Sequence, residues 1–337
     1  MGSIHHRAKI GIAGAGVAGA YLHRLLKNHG IEADIFDVPH PTRCGLSPCA
    51  WGTTGEFKKL VEIIGLRPEK YILRSLDYLI VDQMRVKAEL MTIDKPRFIN
   101  DLLEGAHIER SKLSLKDYDR VVDATGISRV FLPKIEKDIV LSCYQSLLEA
   151  TDYLENGVRT MGTGYAWCFP LSGSTYHIGC GNVDGDPRLL LKNTGWLRGT
   201  TSHVRGKVVC GCVARIRLTG PHGSQPFVSQ GYLGGPSPGV WGVGEAIGCV
   251  APLAGEGIAP AMRSALLLFR HWDDAEGYTK AILKEFDWMK EEQKVLGKLI
   301  RKERLGNGDA KVLWLNARKR GVKINIKQAS ALMRRLG

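Results

Sequence analysis

From Lys9 to Asp37 the chain reads KIGIAGAGVAGAYLHRLLKNHGIEADIFD. A short apolar run, a glycine-punctuated turn, a stretch with apolar positions at helical spacing and a second apolar run predict one βαβ unit. The loop from Val38 to Thr54 is rich in Pro, Cys and Gly, and Glu56 to Ile64 predicts a short helix. Charged and apolar residues then alternate from Tyr71 to Thr92, the period of two or three antiparallel strands. Lys95 to Gly105 reads as helix, and DYDRVVDATG, Asp117 to Gly126, as a short strand entering a glycine turn and rejoining the parallel sheet. Residues from about Ser142 to Ser229 are strand-like and glycine-punctuated, which predicts a separate antiparallel sheet. Strand, loop and helix return between Val240 and Trp272, and from Ala275 onward the pattern is helical.

The expected class is therefore α/β, a Rossmann-like nucleotide-binding domain with an inserted antiparallel-sheet substrate domain and a helical C-terminal region. The expected boundaries are 7–60, 86–130 and 236–274 for the discontinuous nucleotide domain. Residues 61–85 and 131–235 make the substrate domain, and 275–337 the C-terminal region.

Composition narrows the class. The 337 residues are 44% hydrophobic and 24% charged, as in ordinary globular chains. No apolar run reaches the roughly eighteen residues of a membrane span and no signal-peptide core opens the chain, so a cytoplasmic location is expected. Eight cysteines without a CxxC pair point away from a disulfide scaffold or a metal site. The net charge of +13 is concentrated toward the C-terminus, as in Lys298, Arg301, Lys319, Arg320, Lys327 and Arg334. Such a region suits phosphate-bearing lipid, peripheral contact with an anionic membrane, or an acidic redox partner. It carries no nucleic-acid recognition pattern, and a plain solvated basic face is the alternative.

The chemistry begins at the first turn. Gly14 permits the tight bend, Gly16 lets backbone approach a pyrophosphate, and Gly19 lets helix and strand pack closely, with the helix N-terminus facing the phosphates. Asp37 ends the second strand, where its carboxylate can accept from both ribose hydroxyls. Strand, helix and acid in these places make a dinucleotide cradle, without separating FAD from NAD.

Further blocks carry a resemblance. ATG at Ala124 to Gly126, and GVGEAIGCVAPLAGEGIAPAMRSA downstream, are similar to the FAD-contacting segments of the p-hydroxybenzoate hydroxylase-like flavoprotein superfamily. The likeness implies FAD as cofactor, touched by Ala124, Gly126, Gly244, Glu245, Gly255, Gly257 and Ile258. Glu245 would meet the ribityl hydroxyls, where the superfamily usually has Asp. Pro252 and Gly255 would shape a loop beside the isoalloxazine, and the helix opened at Gly257 would stabilise negative charge on reduced flavin. ELMTIDKPRFINDLL resembles a helix start of the same superfamily, with Lys95 in an arginine's place.

GTGYAWCFPL, Gly162 to Leu171, resembles the PxxYxWxFP motif of geranylgeranyl reductases, with Gly162 at the first proline. Those flavoenzymes saturate isoprenoid chains of archaeal lipids and of chlorophyll and quinone side chains. The resemblance implies that Tyr165, Trp167, Phe169 and Pro170 line a prenyl-lipid pocket, and alternation would put the three aromatics on one face of a strand. RCG at Arg43 to Gly45 resembles the reductases' Cys-Gly near the flavin, so Arg43 and Gly45 join the cofactor set. Cys44 becomes a candidate proton donor, flavin tuner or redox-sensitive thiol. The implied reaction is hydride transfer from flavin N5 to an isoprenoid double bond, with electrons from NADPH, ferredoxin or another external donor. The alternatives are an aromatic-ring monooxygenase of the same superfamily, and a degenerate FAD-binding partner protein.

Overall fold

Ile10–Ala13 is buried at every position and feeds a helix, Val17–Asn28, that buries Val17, Ala18, Tyr21, Leu22, Leu25 and Leu26 at spacings of three and four. The strand Asp34–Phe36 returns parallel to the first, with Ile12 opposite Ile35. The computed structural model from which these elements are taken describes residues 8–39, 49–151, 154, 156–194, 196, 206–229 and 239–336. The parallel sheet has six strands, in the order Val228–Ser229, Gly239–Gly242, Arg120–Asp123, Ile10–Ala13, Asp34–Phe36 and Ile108–Glu109. Only the first pair is antiparallel. Val121, Val122 and Val240 are buried as fully as Ile12, the continuous apolar reading of a sheet covered on both faces. The helix Ile258–Arg270 packs beside Val17–Asn28 in the same core.

A second sheet of nine strands runs Gly206–Arg217, Val140–Ala150, Thr175–Asn182, Gly164–Pro170, Gly157–Met161, Ile72–Val81, Met84–Ile93 and Val322–Lys323, and Gly52–Thr54 also pairs with Met84–Ile93. It is antiparallel except where Ile80 and Val81 run parallel to Gly157 and Val158. At that seam a Cβ on residue 157 would stand 2.6 Å from the Ile80 carbonyl oxygen.

Residues 52–54 and 86–93, expected with the nucleotide domain, pair in the antiparallel sheet, and Val228–Ser229, within the expected 131–235, edges the parallel sheet. The cause at 85/86 is the hairpin turn: Asp82 and Gln83 both have positive φ, 47° and 77°. A two-residue hairpin turn of that kind is usually signalled by Asn-Gly or Asp-Gly, and Asp-Gln carries no such signal.

Beyond Ala275–Glu285, three helices follow, Asp287–Ile300, Asn307–Lys319 and Ile326–Leu336. Their inner sides place Val295, Ala310, Ala317, Ala329 and Met333 against Leu79, Val86 and Ala88 of the large sheet. Lys298 pairs with Asp309 at 2.8 Å and Arg320 with buried Glu292 at 2.5 Å, so part of the basic C-terminal charge ties helices together. Lys311, Lys319, Lys327 and Arg334 are exposed. Among the described residues no helix is long and apolar enough to cross a membrane.

Candidate functional site

The three cradle glycines have three different causes. Gly14 sits at φ 103°, and a Cβ there would lie 2.3 Å from the Ala124 carbonyl oxygen. A Cβ on residue 19 would lie 1.9 Å from the Gly14 carbonyl oxygen, so that glycine exists for the contact of helix on turn. Gly16 is in extended backbone, and a Cβ there would meet nothing of the described residues within 4 Å. Its open side faces a cavity. No atom of the described residues accounts for this glycine, and the open space leaves room for a ligand backbone to approach the helix N-terminus. Asp37 lines the same cavity, its carboxylate 3.8 Å from the Arg110 guanidinium.

Beside the cradle, Asp123 is fully buried and spends its carboxylate on the turn that follows: Oδ1 accepts from Thr125 N and Oγ1, Oδ2 from Phe131 N and Leu132 N. This holds Thr125 and Gly126 open to the cavity. Arg217 fastens that turn to the downstream loop. Its guanidinium donates to Asp138, to the carbonyls of Gly126 and Ile127, and to the Glu245 carbonyl at 2.9 Å, while its backbone N–H donates to Glu245 Oε1 at 2.7 Å. Glu245 lines the cavity, and desolvation pushes its carboxyl above the usual range against the pull of Arg217. Arg129, buried at positive φ, donates to the carbonyls of Pro133, Ala246 and Pro226. Desolvation lowers it to about 10.

The loop from Pro252 to Gly257 runs along the cavity and ends as the cap of Ile258–Arg270. Gly255 has φ 64°, and a Cβ there would stand 2.2 Å from the Tyr165 hydroxyl oxygen, so the aromatic strand rests against this loop. Between the two glycines, Glu256 Oε1 accepts from Ala259 N at 3.0 Å and from Thr53 Oγ1 at 3.1 Å. A carboxylate of the chain thus occupies one N–H of the helix end expected to face the flavin. Burial pushes this carboxyl up to about 7, overriding those hydrogen bonds and the charge of Arg320, while Glu56 adds to the rise.

One cavity of about 1140 Å³ joins these groups to the large sheet and to the C-terminal helices, where Leu313, Leu332 and Met333 wall it. Tyr165, Trp167 and Phe169 all face it from Gly164–Pro170, with the first two rings 5.8 Å apart. The neighbouring strand offers glycine opposite two of them: Gly181 pairs with Tyr165 and Gly179 with Trp167. A Cβ at 179 would collide with the indole at 2.3 Å, so the ring lies across that strand.

Several expected site residues serve the frame instead of lining the cavity. Pro170 does not line it: the period of two turns it to the face opposite Phe169, and its carbonyl accepts from Thr92 Oγ1 at 2.8 Å. Ala124 backs the Gly14 turn, Gly19 packs the helix, and Gly244, at φ 66°, brings its backbone against Ala18. Gly126, Glu245, Gly255, Gly257, Ile258 and Lys95 do line the cavity. Arg43, Cys44 and Gly45 lie outside the described residues. Sequence reasoning missed Arg217, Asp138, Arg129 and Glu256; only the last sat inside a recognised motif.

No family model matches the chain. A relative, an uncharacterized protein of Methanocaldococcus jannaschii, is 25% identical over 329 residues, covering 82% of this chain and 86% of that one. Among solved structures, a geranylgeranyl bacteriochlorophyll reductase-like protein from Thermoplasma acidophilum superposes with a TM-score of 0.69 at 14% identity, over 97% of this chain and 95% of that one. A flavoprotein/dehydrogenase from Cytophaga hutchinsonii gives 0.63 at 10% identity, over 97% and 98%. The flavin-dependent halogenase CmlS gives 0.61 at 15% identity, over 98% and 70%. At these identities the likeness is one of fold, and this chain has the Rossmann-like fold of these flavoproteins.

Proposed function

We propose that this chain binds FAD and is an oxidoreductase that saturates a carbon-carbon double bond of an isoprenoid lipid. The observation that supports it best is the single cavity, which exceeds the roughly 300–1,000 Å³ of ordinary small-ligand pockets and runs from the phosphate cradle to an apolar end. A volume of that kind suits a dinucleotide and a second, apolar molecule together.

Bound there and reduced, FAD supplies a hydride. The chain's own residues do the rest. Gly16 and the N-terminus of Val17–Asn28 hold the pyrophosphate, Asp37 the ribose, and Glu245 the ribityl hydroxyls. An isolated alkene is a poor hydride acceptor, so rate depends on positioning in a dry slot. Tyr165, Trp167 and Phe169 provide one wall of that slot, and Leu253, Leu313 and Leu332 exclude water elsewhere. The proton needed at the second carbon is held at neutral pH by Glu256, whose carboxyl titrates near 7 inside the cavity. Cys44 is the alternative proton source. The electron donor is external, and the exposed lysines and arginines of the C-terminal helices would meet an anionic lipid surface, with affinity falling as salt rises.

The test is anaerobic single turnover: dithionite-reduced protein is mixed with a prenyl lipid and flavin absorbance is followed. Reoxidation is expected, and Trp167→Ala should slow it by about one to two orders of magnitude with FAD still bound. Reoxidation only by oxygen with an aromatic substrate present would install the monooxygenase reading. An unfolded Trp167→Ala variant would make the strand plain core.

A further inference from the structure

Two residues that line the cavity each carry a buried polar atom with no partner among the described residues. Trp167 is 5% exposed and Gln145 7%, yet neither Trp167 Nε1 nor Gln145 Oε1 has a hydrogen-bond partner among the described residues. Both residues line the cavity. They belong to one row of the sheet: Gln145 pairs with Gly179, and Gly179 with Trp167. Directly paired residues share a face, so the two side chains flank a position with no side chain of its own. The indole edge that carries the nitrogen lies over that glycine, since a Cβ at 179 would stand 2.3 Å from Cζ2 and 2.5 Å from Cε2. Leaving a buried donor and a buried acceptor unpaired is unfavourable, so a protein keeps such a pair where something completes it.

We propose that Gln145 and Trp167, separated by Gly179, form a polar clamp for one neutral oxygen function, a hydroxyl, on an otherwise apolar ligand. The hydroxyl donates to Gln145 Oε1 and accepts from the Trp167 indole N–H. Neutrality follows from the surroundings: the nearest positions on that face are Cys143, Leu147, Tyr165 and Phe169, with Gly181 and His177 on the strand between, and burial lowers His177 to about 4, so none offers a counter-ion at neutral pH. The clamp rests on the proposed reading in one respect, that the ligand in this cavity is apolar. It adds that the ligand is not a pure hydrocarbon, and it assigns specificity to a residue outside the aromatic motif.

Calorimetric titration of the purified protein with two matched pairs tests this: geranylgeraniol against its hydrocarbon lacking the hydroxyl, and 2-naphthol against naphthalene. The wild type is expected to bind the hydroxylated member at least about tenfold more tightly. Gln145→Leu, close in shape, should erase that preference and leave hydrocarbon binding within about twofold, and Trp167→Phe should erase the preference as well. If the preference appears only in the naphthol pair and Gln145→Leu erases it, the clamp stands and the isoprenoid reading falls. If the wild type binds both prenyl ligands equally, or the preference survives in both variants, the clamp is overturned while the isoprenoid reading stands. Binding of neither pair overturns both.

Discussion

The cradle and the far cavity wall are built by opposite means. The cradle is assembled mostly from backbone that is close in sequence: Gly14, Gly16 and Gly19 lie within six residues, and an added Cβ would stand 1.9 Å from the Gly14 oxygen at position 19, 2.3 Å from the Ala124 oxygen at position 14, and clear of the described residues at position 16. The wall needs strands at 79–81 and 158–169 and helices at 313–333, and its surface is made by side chains that pack without touching a common turn. Where backbone sets the geometry a single Cβ is decisive, and where side chains set it, volume and polarity are tunable.

The sharpest way to break this comparison is a pair of valines. Gly19→Val drives a side chain into the Gly14 carbonyl and should destabilise the fold by about 4 kcal/mol or more. Gly16→Val meets only open space, so the variant should fold, with its thermal midpoint little changed before cofactor is added, and come out colourless. Full FAD occupancy in Gly16→Val would remove the cradle assignment.

A second probe asks whether the two regions are joined by a rigid clasp. Arg217→Met leaves Asp138 without its cation and three carbonyls without their donor, which should cost about 3 kcal/mol and loosen FAD at the same time. Equilibrium denaturation and flavin content measured on one preparation would check it. Loss of stability with unchanged FAD affinity would make Arg217 a strut of the large sheet alone.

The mildest probe lies at the contact of the two regions. Folded Glu256 keeps its proton up to about pH 7, whereas the unfolded chain releases it near 4.5. The folded state therefore holds the extra proton between those values and weakens as pH rises through them, by at most about 3 kcal/mol, then levels off. Glu256→Gln should remove this slope, so its thermal midpoint should gain on wild type from about pH 5 to about pH 7. Parallel curves would mean the carboxyl is solvated and poorly suited to hold a proton.

The same contrast governs what could be read from the chain before folding. The cradle lies within one run of 29 residues from Lys9 to Asp37, so spacing alone carried it. Arg217 and Asp138 are 79 residues apart, and Glu256 finds Thr53 across 203, distances at which no local pattern operates. The aromatic strand was legible through its alternation, and the same alternation excludes Pro170 from the cavity. The polar row at Gln145 was invisible because it runs perpendicular to the chain, through three strands whose register only pairing decides.

The part of the far wall supplied by helices, and not by a sheet ladder, has an evolutionary consequence. Exchanging Leu313, Leu332 or Met333 for larger or smaller apolar residues alters the depth of the chamber while every backbone hydrogen bond of the cradle stays in place. Depth becomes a heritable dial, set independently of the cradle. Lineages sharing this scaffold can then drift apart in sequence and in the depth of this chamber, while the half that carries the cradle stays the same shape.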